Sequence, residues 1–402
     1  MVNPEYNVLK DWMFGKLNAL LEGLDPNPEY STLKMSIGEP TLQIPNFVKD
    51  ILESSYLEWG KYPPSIAITS YGNSIIQYIE KRFPGAKNIV ELDKNIVPVP
   101  GTREPLHLIG LLAKNLKEGK TVSIVTNPFY HAWRAGSISS GSDIYWVNAL
   151  PENNYFPDIF NIPENILRSS VIMYICSPSN PQGGVADIDY LTKAISLARK
   201  YNFILAIDEC YCDIFRLNKP KPPGGLEAAA ILGKNLDNLV VFNSLSKRSN
   251  ISGMRAGFIA GDEKIIESYK LLVSNGASPV PIPVQRVAAA LYDDDEHNFQ
   301  ACMHYDKNFE IAEKYLKPFD CNFKVPEGGF FLWLNVKDDE QAAKILWNKF
   351  SVRVMPGSFM GREVNGLNPG KNYLRISLVD SREVIEETMK RISLFLKNHN
   401  DY

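Results

Sequence analysis

Between about residue 70 and residue 285, short apolar runs alternate with amphipathic stretches, and that alternation admits few folds. "TVSIVT" (121–126), "VIMYICS" (171–177), "FILAID" (203–208), "LVVFNS" (239–244) and "AGFIAG" (256–261) read as buried strands. Each is a short apolar run bounded by turn signals. Between two of them, "DIDYLTKAISLARKYN" (187–202) spaces its apolar residues as an amphipathic helix does. The pattern predicts an α/β fold, a mostly parallel sheet with helices on both faces. Ligands of such sheets bind beyond the carboxyl ends of the strands, so the residues that follow each strand carry the chemistry.

The last hundred residues change character. "GGFFLWLNV", "DEQAAKILWNKF", "SVRVMP", "YLRISLV" and "REVIEETMKRISLFLKN" alternate helix and strand over shorter connections, which predicts a smaller α+β domain. The expected division is 1–46 as an N-terminal segment joining the small domain, 47–290 as the large domain and 291–402 as the small one.

The strand ends are chemically rich. After "TVSIVT" comes "NPFYHAW", with a flat aromatic at Tyr130. After "VIMYICS" comes "PSNPQGG", with an amide at Asn180. "FILAID" ends on Asp208 and leads to Tyr211. "LVVFNS" runs into Ser244, Ser246, Lys247 and Arg255. Upstream, Gly101-Thr102-Arg103 precedes an apolar-periodic helix, where backbone N–H groups can receive a phosphate. Each feature alone has an ordinary reading. Asp208 could cap a helix, Tyr130 could pack in a core, Asn180 could form a turn, and Lys247 among small polar residues could be a solvated charge. Together they supply a carboxylate, a phenol, an amide, an aromatic face, a phosphate cradle and one lysine. Pyridoxal 5'-phosphate uses all six.

Composition narrows the field in the same direction. With 402 residues, 45% of them hydrophobic, the chain can build a large core. A net charge of −3 argues against nucleic acid as a partner. No apolar run reaches the ~18 residues that span a bilayer, and the first residues lack a secretory pattern. Cys176, Cys210, Cys212, Cys302 and Cys321 are odd in number and scattered, which fits reduced thiols of a cytoplasmic protein and no metal site.

The motifs "GEP", Tyr62 in "KYPP", "PGTRE", "NPFY", "SNPQGG", "DECY", "SLSKRSN…MRAG" and "YLRISL" occur in the order of the fold-type I, class I/II aminotransferases. The chain resembles that family along essentially its whole length. The resemblance implies a mostly parallel seven-stranded sheet and a smaller α+β domain, with pyridoxal phosphate as cofactor and amino acids and 2-oxo acids as substrates. It also implies roles. Lys247 is the Schiff-base lysine, Asp208 partners the pyridine nitrogen, and Asn180 and Tyr211 hold the phenolate oxygen. Tyr130 stacks on the ring. Ser244, Ser246, Arg255 and the amides of Gly101, Thr102 and Arg103 take the phosphate. Arg375, Gly38 and Asn180 bind the substrate carboxylate. The residue matching Tyr62 reaches the cofactor of the other subunit, so a homodimer with shared sites is expected.

"NPFYHAW" and "VMPGSFMGREVNGLNPGKNYLRISLV" are most similar to N-succinyldiaminopimelate aminotransferases of bacterial lysine biosynthesis, although Ile251-Ser252 stands where that subfamily usually has Leu-Pro. Aromatic or aspartate aminotransferases and carbon–sulfur lyases share the scaffold. Arg103, Arg362 and Lys371 are the candidates for the far end of a long anionic substrate.

Overall fold

The computed structural model describes residues 4–114, 119–319 and 324–398; Cys321 lies outside them. The strands in chain order are β1 (Leu33–Lys34), β2 (Ile96–Val99), β3 (Val122–Asn127), β4 (Asp143–Asn148), β5 (Ser170–Cys176), β6 (Ile204–Asp208), β7 (Leu239–Ser244) and β8 (Gly257–Gly261). They are followed by β9 (Phe331–Asn335), β10 (Val352–Arg353), β11 (Met355–Pro356) and β12 (Tyr373–Ser377).

A seven-stranded sheet runs in the order β2-β8-β7-β6-β5-β3-β4. The pairings among β4, β3, β5, β6 and β7 are parallel, and β8 alone runs against its two neighbours. The expected fold class is the observed one. Alternate residues of the central strands feed two separate cores, because successive side chains point to opposite faces. Met173, Ile175, Leu205, Ile207 and Val241 enter one; Ile172, Tyr174, Ala206, Val240 and Phe242 enter the other. Helices cover both faces, so the strands read as continuous apolar runs rather than alternating ones. One of those helices, Ile188–Tyr201, begins where the Asp187 carboxylate accepts the Tyr190 N–H at 2.7 Å, and ends at Asn202 in the left-handed region (φ 52°).

A second, three-stranded antiparallel sheet has the order β11-β12-β9. Leu332, Leu334, Leu374 and Ile376 pack from it against Phe309, Leu346, Met389 and Phe395 of three helices, Glu296–Leu316, Asp339–Phe350 and Arg382–Asn398. "SVRVMP" forms two strands rather than one. β10 pairs with β1, β11 pairs with β12, and the break at Val354 is where the chain changes partners.

This topology brings the strand ends together. The carboxyl ends of β3, β5, β6 and β7 lie along one edge of the sheet. β8 runs the other way, so its first residue is at that edge: Gly257 pairs with Ser244 on one side and with Val99 on the other. Arg255, two residues before β8, is therefore delivered to the same place as Ser246, and so is the Gly101-Thr102 turn after β2.

Candidate active site

A cavity of about 490 Å³ opens along that edge. Of the predicted residues, Gly38, Thr102, Arg103, Tyr130, Asn180, Asp208, Tyr211, Ser244, Ser246, Lys247, Arg255 and Arg375 all line it. Gly101 turns the chain just behind the wall. Its φ of +71° is glycine's, and a Cβ there would meet Arg255 Nη2 at 2.5 Å. Tyr62 is not at the cavity; it is wholly exposed (101%).

Lys247 sits in the four-residue helix Leu245–Arg248, whose first turn is capped by the Ser244 hydroxyl accepting the Ser246 N–H at 3.2 Å. Its ammonium donates to the Gly38 carbonyl at 2.6 Å. A Cβ at Gly38 would lie 2.2 Å from the Phe331 ring, so a larger residue there would displace that ring. Burial pulls the Lys247 ammonium down to about 8; Arg375 and Arg255 push the same way, against Cys210 and Glu39. Desolvation of this kind is how a lysine becomes nucleophilic near neutral pH.

Asp208 ends β6 on the face shared with Ala206, and is 4% exposed. Its carboxylate accepts the Cys210 N–H at 3.1 Å. Burial pushes it up to about 6, partly opposed by that hydrogen bond and by Lys247. Three residues on, burial drives the Tyr211 phenol far above its ordinary value.

Arg375 lies on β12 opposite in parity to the core residues Leu374 and Ile376, so its side chain leaves the small sheet for the cavity. It is 3% exposed and stacks on Phe331 with 4.4 Å to the ring centre. Its Nη2 donates to the Ser36 carbonyl at 2.8 Å and its Nη1 to Asn180 Oδ1 at 3.2 Å, while Nε has no partner. Asn180 in turn donates to the Tyr211 hydroxyl at 3.3 Å. No carboxylate pairs with this guanidinium among the described residues, and burial lowers it to about 10. A buried cation with only neutral partners is costly, and an anionic ligand relieves that cost.

At the other end of the cavity, the Arg255 guanidinium donates to Ser246 Oγ at 3.3 Å, which itself accepts from Ser244 Oγ at 2.9 Å. The helix Arg103–Ala113 starts beside them with no side chain capping its first N–H groups. Two hydroxyls, a guanidinium and uncapped amides form a donor set that suits a phosphate. Arg103 Nε donates to the Tyr130 hydroxyl at 3.2 Å. The cavity thus holds donors for a phosphate at one end, an anion-seeking arginine at the other, and a lysine, a buried carboxylate and a phenol between. These residues fit pyridoxal phosphate.

Several contributors to the cavity were not read from the sequence. Phe331 was visible only as part of an apolar strand. The Ser36 carbonyl orients Arg375 across 339 residues of chain. Trp12, Met13 and Phe14, at the start of an N-terminal helix, also line the cavity. Nothing local distinguishes these positions, since each contact is made by tertiary packing. The Arg362 backbone holds the Asn127 side chain, its carbonyl accepting from Nδ2 and its N–H donating to Oδ1, and neither Arg362 nor Lys371 lines the cavity. Four cysteines are free thiols, and no metal-ligating cluster is present among the described residues. No described helix is long and apolar enough to cross a membrane.

The sequence model of the family described as aminotransferase class I and II matches residues 31–392. An LL-diaminopimelate aminotransferase 2 from Nostoc sp. is 25% identical over 389 residues, 95% of each chain. An LL-diaminopimelate aminotransferase from Dehalococcoides mccartyi is 27% identical, covering 90% of this chain and 91% of that one. Among solved structures, an aminotransferase from Neisseria meningitidis is 32% identical. It superposes with a TM-score of 0.93 over 98% of this chain and 100% of its own.

Proposed function

This chain belongs to the class I and II aminotransferases, which use pyridoxal 5'-phosphate, and from that membership we propose that it transfers an amino group between N-succinyl-LL-2,6-diaminopimelate and 2-oxoglutarate. The observation that carries the substrate reading is that two of the cavity arginines, Arg375 and Arg103, form no ion pair among the described residues and lie apart from the cofactor-phosphate role given to Arg255. Arg375 is buried among neutral groups, and the Arg103 guanidinium donates to the Tyr130 hydroxyl, itself a neutral group. A long substrate with anionic groups at both ends suits two such cations. Amino transfer on free LL-diaminopimelate is the second reading, favoured by the names of the relatives from Nostoc and Dehalococcoides.

In this proposal the chain's residues divide the work. Thr102, Ser244, Ser246 and Arg255 would hold the cofactor phosphate, Tyr130 would cover one ring face, and Asp208, Asn180 and Tyr211 would hold the ring's polar atoms. Bound pyridoxal phosphate supplies an electron-withdrawing ring that accepts the electron pair left when a proton leaves the substrate α-carbon. Lys247 Nζ takes that proton and returns it at the far side of the transfer, as base and then acid. Arg375 fixes the α-carboxylate in a fork that lysine could not reproduce. Phe330 and Phe331, beside Lys247 and Arg375, limit water at the reacting carbon.

The test is a half-reaction series with the succinylated 2-oxo acid, LL-diaminopimelate, glutamate and aromatic amino acids, in the parent and in Arg103→Ala. The expected result is fastest conversion of the succinylated substrate. The variant should raise its Michaelis constant about tenfold or more, with a much smaller change for glutamate, which is too short to reach the second arginine. Equal effects on both substrates would remove Arg103 from the specificity pocket, and faster conversion of free diaminopimelate would favour the second reading.

Tyr62 bears on assembly. With Tyr56, Leu57, Trp59 and Ile66 it forms an exposed apolar stretch outside its own cavity. We propose that this stretch meets a second copy and that Tyr62 completes the partner's site. Lys247→Ala and Tyr62→Ala chains should each be nearly inactive alone. Mixed with subunit exchange, about half the dimers become hybrids with one intact site each, restoring about a quarter of parental activity. No recovery after demonstrated exchange would exclude a shared site.

A further inference from the structure

A second cavity, of about 450 Å³, lies on the other side of the segment that carries the catalytic lysine. Lys247 and Arg248 are neighbours in one short helix; Lys247 lines the first cavity and Arg248 lines the second. The floor of the second cavity is a closed ionic cluster. Asp213 pairs with Arg82 at 2.8 Å and with Arg248 at 3.1 Å, and Arg248 continues to Asp295 at 2.6 Å. The Tyr78 hydroxyl donates to Asp213 at 2.8 Å. These charges are paired with one another.

The walls are different. Lys219 and Lys221 line the cavity and are exposed, and neither has a carboxylate partner among the described residues. Lys221 has only the Phe215 ring, 5.7 Å from its ammonium. The same lining holds two acceptors with unused capacity. Asn298 Oδ1 is buried and accepts no hydrogen bond. Asp293 accepts one, from the Ser74 hydroxyl at 2.9 Å. The lining also has apolar members: Phe215, and the exposed side chains of Leu217 (37%) and Phe299 (46%).

We propose that this cavity is an effector site for a free α-amino acid. A carboxylate answers Lys219 and Lys221, and an ammonium answers Asn298 Oδ1 and Asp293. An apolar side chain covers Phe215, Leu217 and Phe299, and removing that apolar surface from water favours binding. A plain anion would leave the Asn298 acceptor unsatisfied, and a plain cation would face the two lysines. The zwitterion meets both. Its occupancy bears on catalysis because Asp295, in the same lining, pairs with Lys81 and with Arg248, the residue next to Lys247. The inference does not depend on which amino acid the catalytic cavity converts.

The test uses the holoenzyme and L-leucine, with L-phenylalanine and L-lysine as further probes, followed by calorimetry and by turnover of the enzyme's own substrates. Three proteins are compared: the parent, Lys219→Glu/Lys221→Glu and Arg375→Ala. The two lysines are on the surface, so their replacement should leave turnover without effector within twofold. The expected result is binding in the parent together with at least a twofold change in turnover. Binding should weaken tenfold or more in the double-lysine variant and persist in Arg375→Ala. An amino acid held in the catalytic cavity would give the reverse, with binding lost in Arg375→Ala and kept in the lysine variant. That reversal overturns the proposal, as would no binding by any of the three probes, or binding that leaves turnover unchanged.

Discussion

Lys247→Ala should abolish turnover, by a factor on the order of 10⁴ or more, because it removes both the covalent hold on the cofactor and the base that moves the substrate proton. The fold should survive. The side chain makes one hydrogen bond, to the Gly38 carbonyl, and the short helix around it is held by its neighbours: Ser244 caps it and Arg248 anchors it to Asp213. Ellipticity and melting temperature should therefore stay close to those of the parent. The phosphate donors are untouched, so the cofactor should still associate, reversibly. The parent offers a readout that does not involve turnover. Burial pulls its free amine down to about 8 from the ordinary lysine value. At pH 7 such an amine is roughly one-tenth neutral, against about 0.03% for an ordinary lysine. The rate at which the chain, stripped of cofactor, incorporates pyridoxal phosphate irreversibly to dialysis should rise about tenfold per pH unit up to pH ~8 and level off above it. Continued rise toward pH 10 would mean that the amine is not desolvated, and a Lys247→Ala protein of normal activity would remove the residue from the chemistry.

Five strands of the large sheet were legible because both of their faces are buried. An apolar run such as "VIMYIC" cannot be mistaken for a surface segment. The two that were not read, β2 and β4, are the two edges. β2 is four residues long and carries Pro98, whose missing N–H a sheet edge tolerates. β4, "DIYWVN", is mostly half-exposed and mixes polar with aromatic residues. The candidate site was legible for a related reason. A parallel sheet places the residues after its strands along one edge, so the sequence alone groups Tyr130, Asn180, Asp208 and Lys247. Arg375 came from family resemblance alone, and its setting was hidden. Nothing near it in sequence shows that its partners are a carbonyl at Ser36 and an amide at Asn180. The second cavity was hidden more deeply, since its walls come from residues 77–82, 213–221, 248 and 292–302. Side chains gathered from four distant stretches leave no local pattern.

Asp208 separates a structural role from a chemical one more cleanly than any other position in the site. Its ordinary role would be to organise the turn after β6, and it does accept the Cys210 N–H, at 3.1 Å. Asparagine can accept that same bond through its amide oxygen, so Asp208→Asn preserves the turn and nearly the same volume while removing the charge. What it takes away is the buried carboxylate. Burial holds that carboxyl at about 6, which leaves it mostly ionised at pH 7 and ready for a cationic partner. A protonated pyridine nitrogen is such a partner, and losing one side of a buried ion pair costs about 3–5 kcal/mol. If that cost falls mainly on the transition state, where the ring must accept charge, turnover should drop by roughly 10²–10³ at about 1.4 kcal/mol per tenfold. Cofactor content after dialysis should change far less, because Lys247 and the phosphate donors remain. The pH profile gives a second readout. In the parent, the limb assigned to Asp208 should fall away toward acid as the carboxyl gains a proton, and the variant should lose that limb. A variant within threefold of the parent, with its acid limb intact, would leave Asp208 as a turn residue and send the search for the ring-nitrogen partner elsewhere in the cavity.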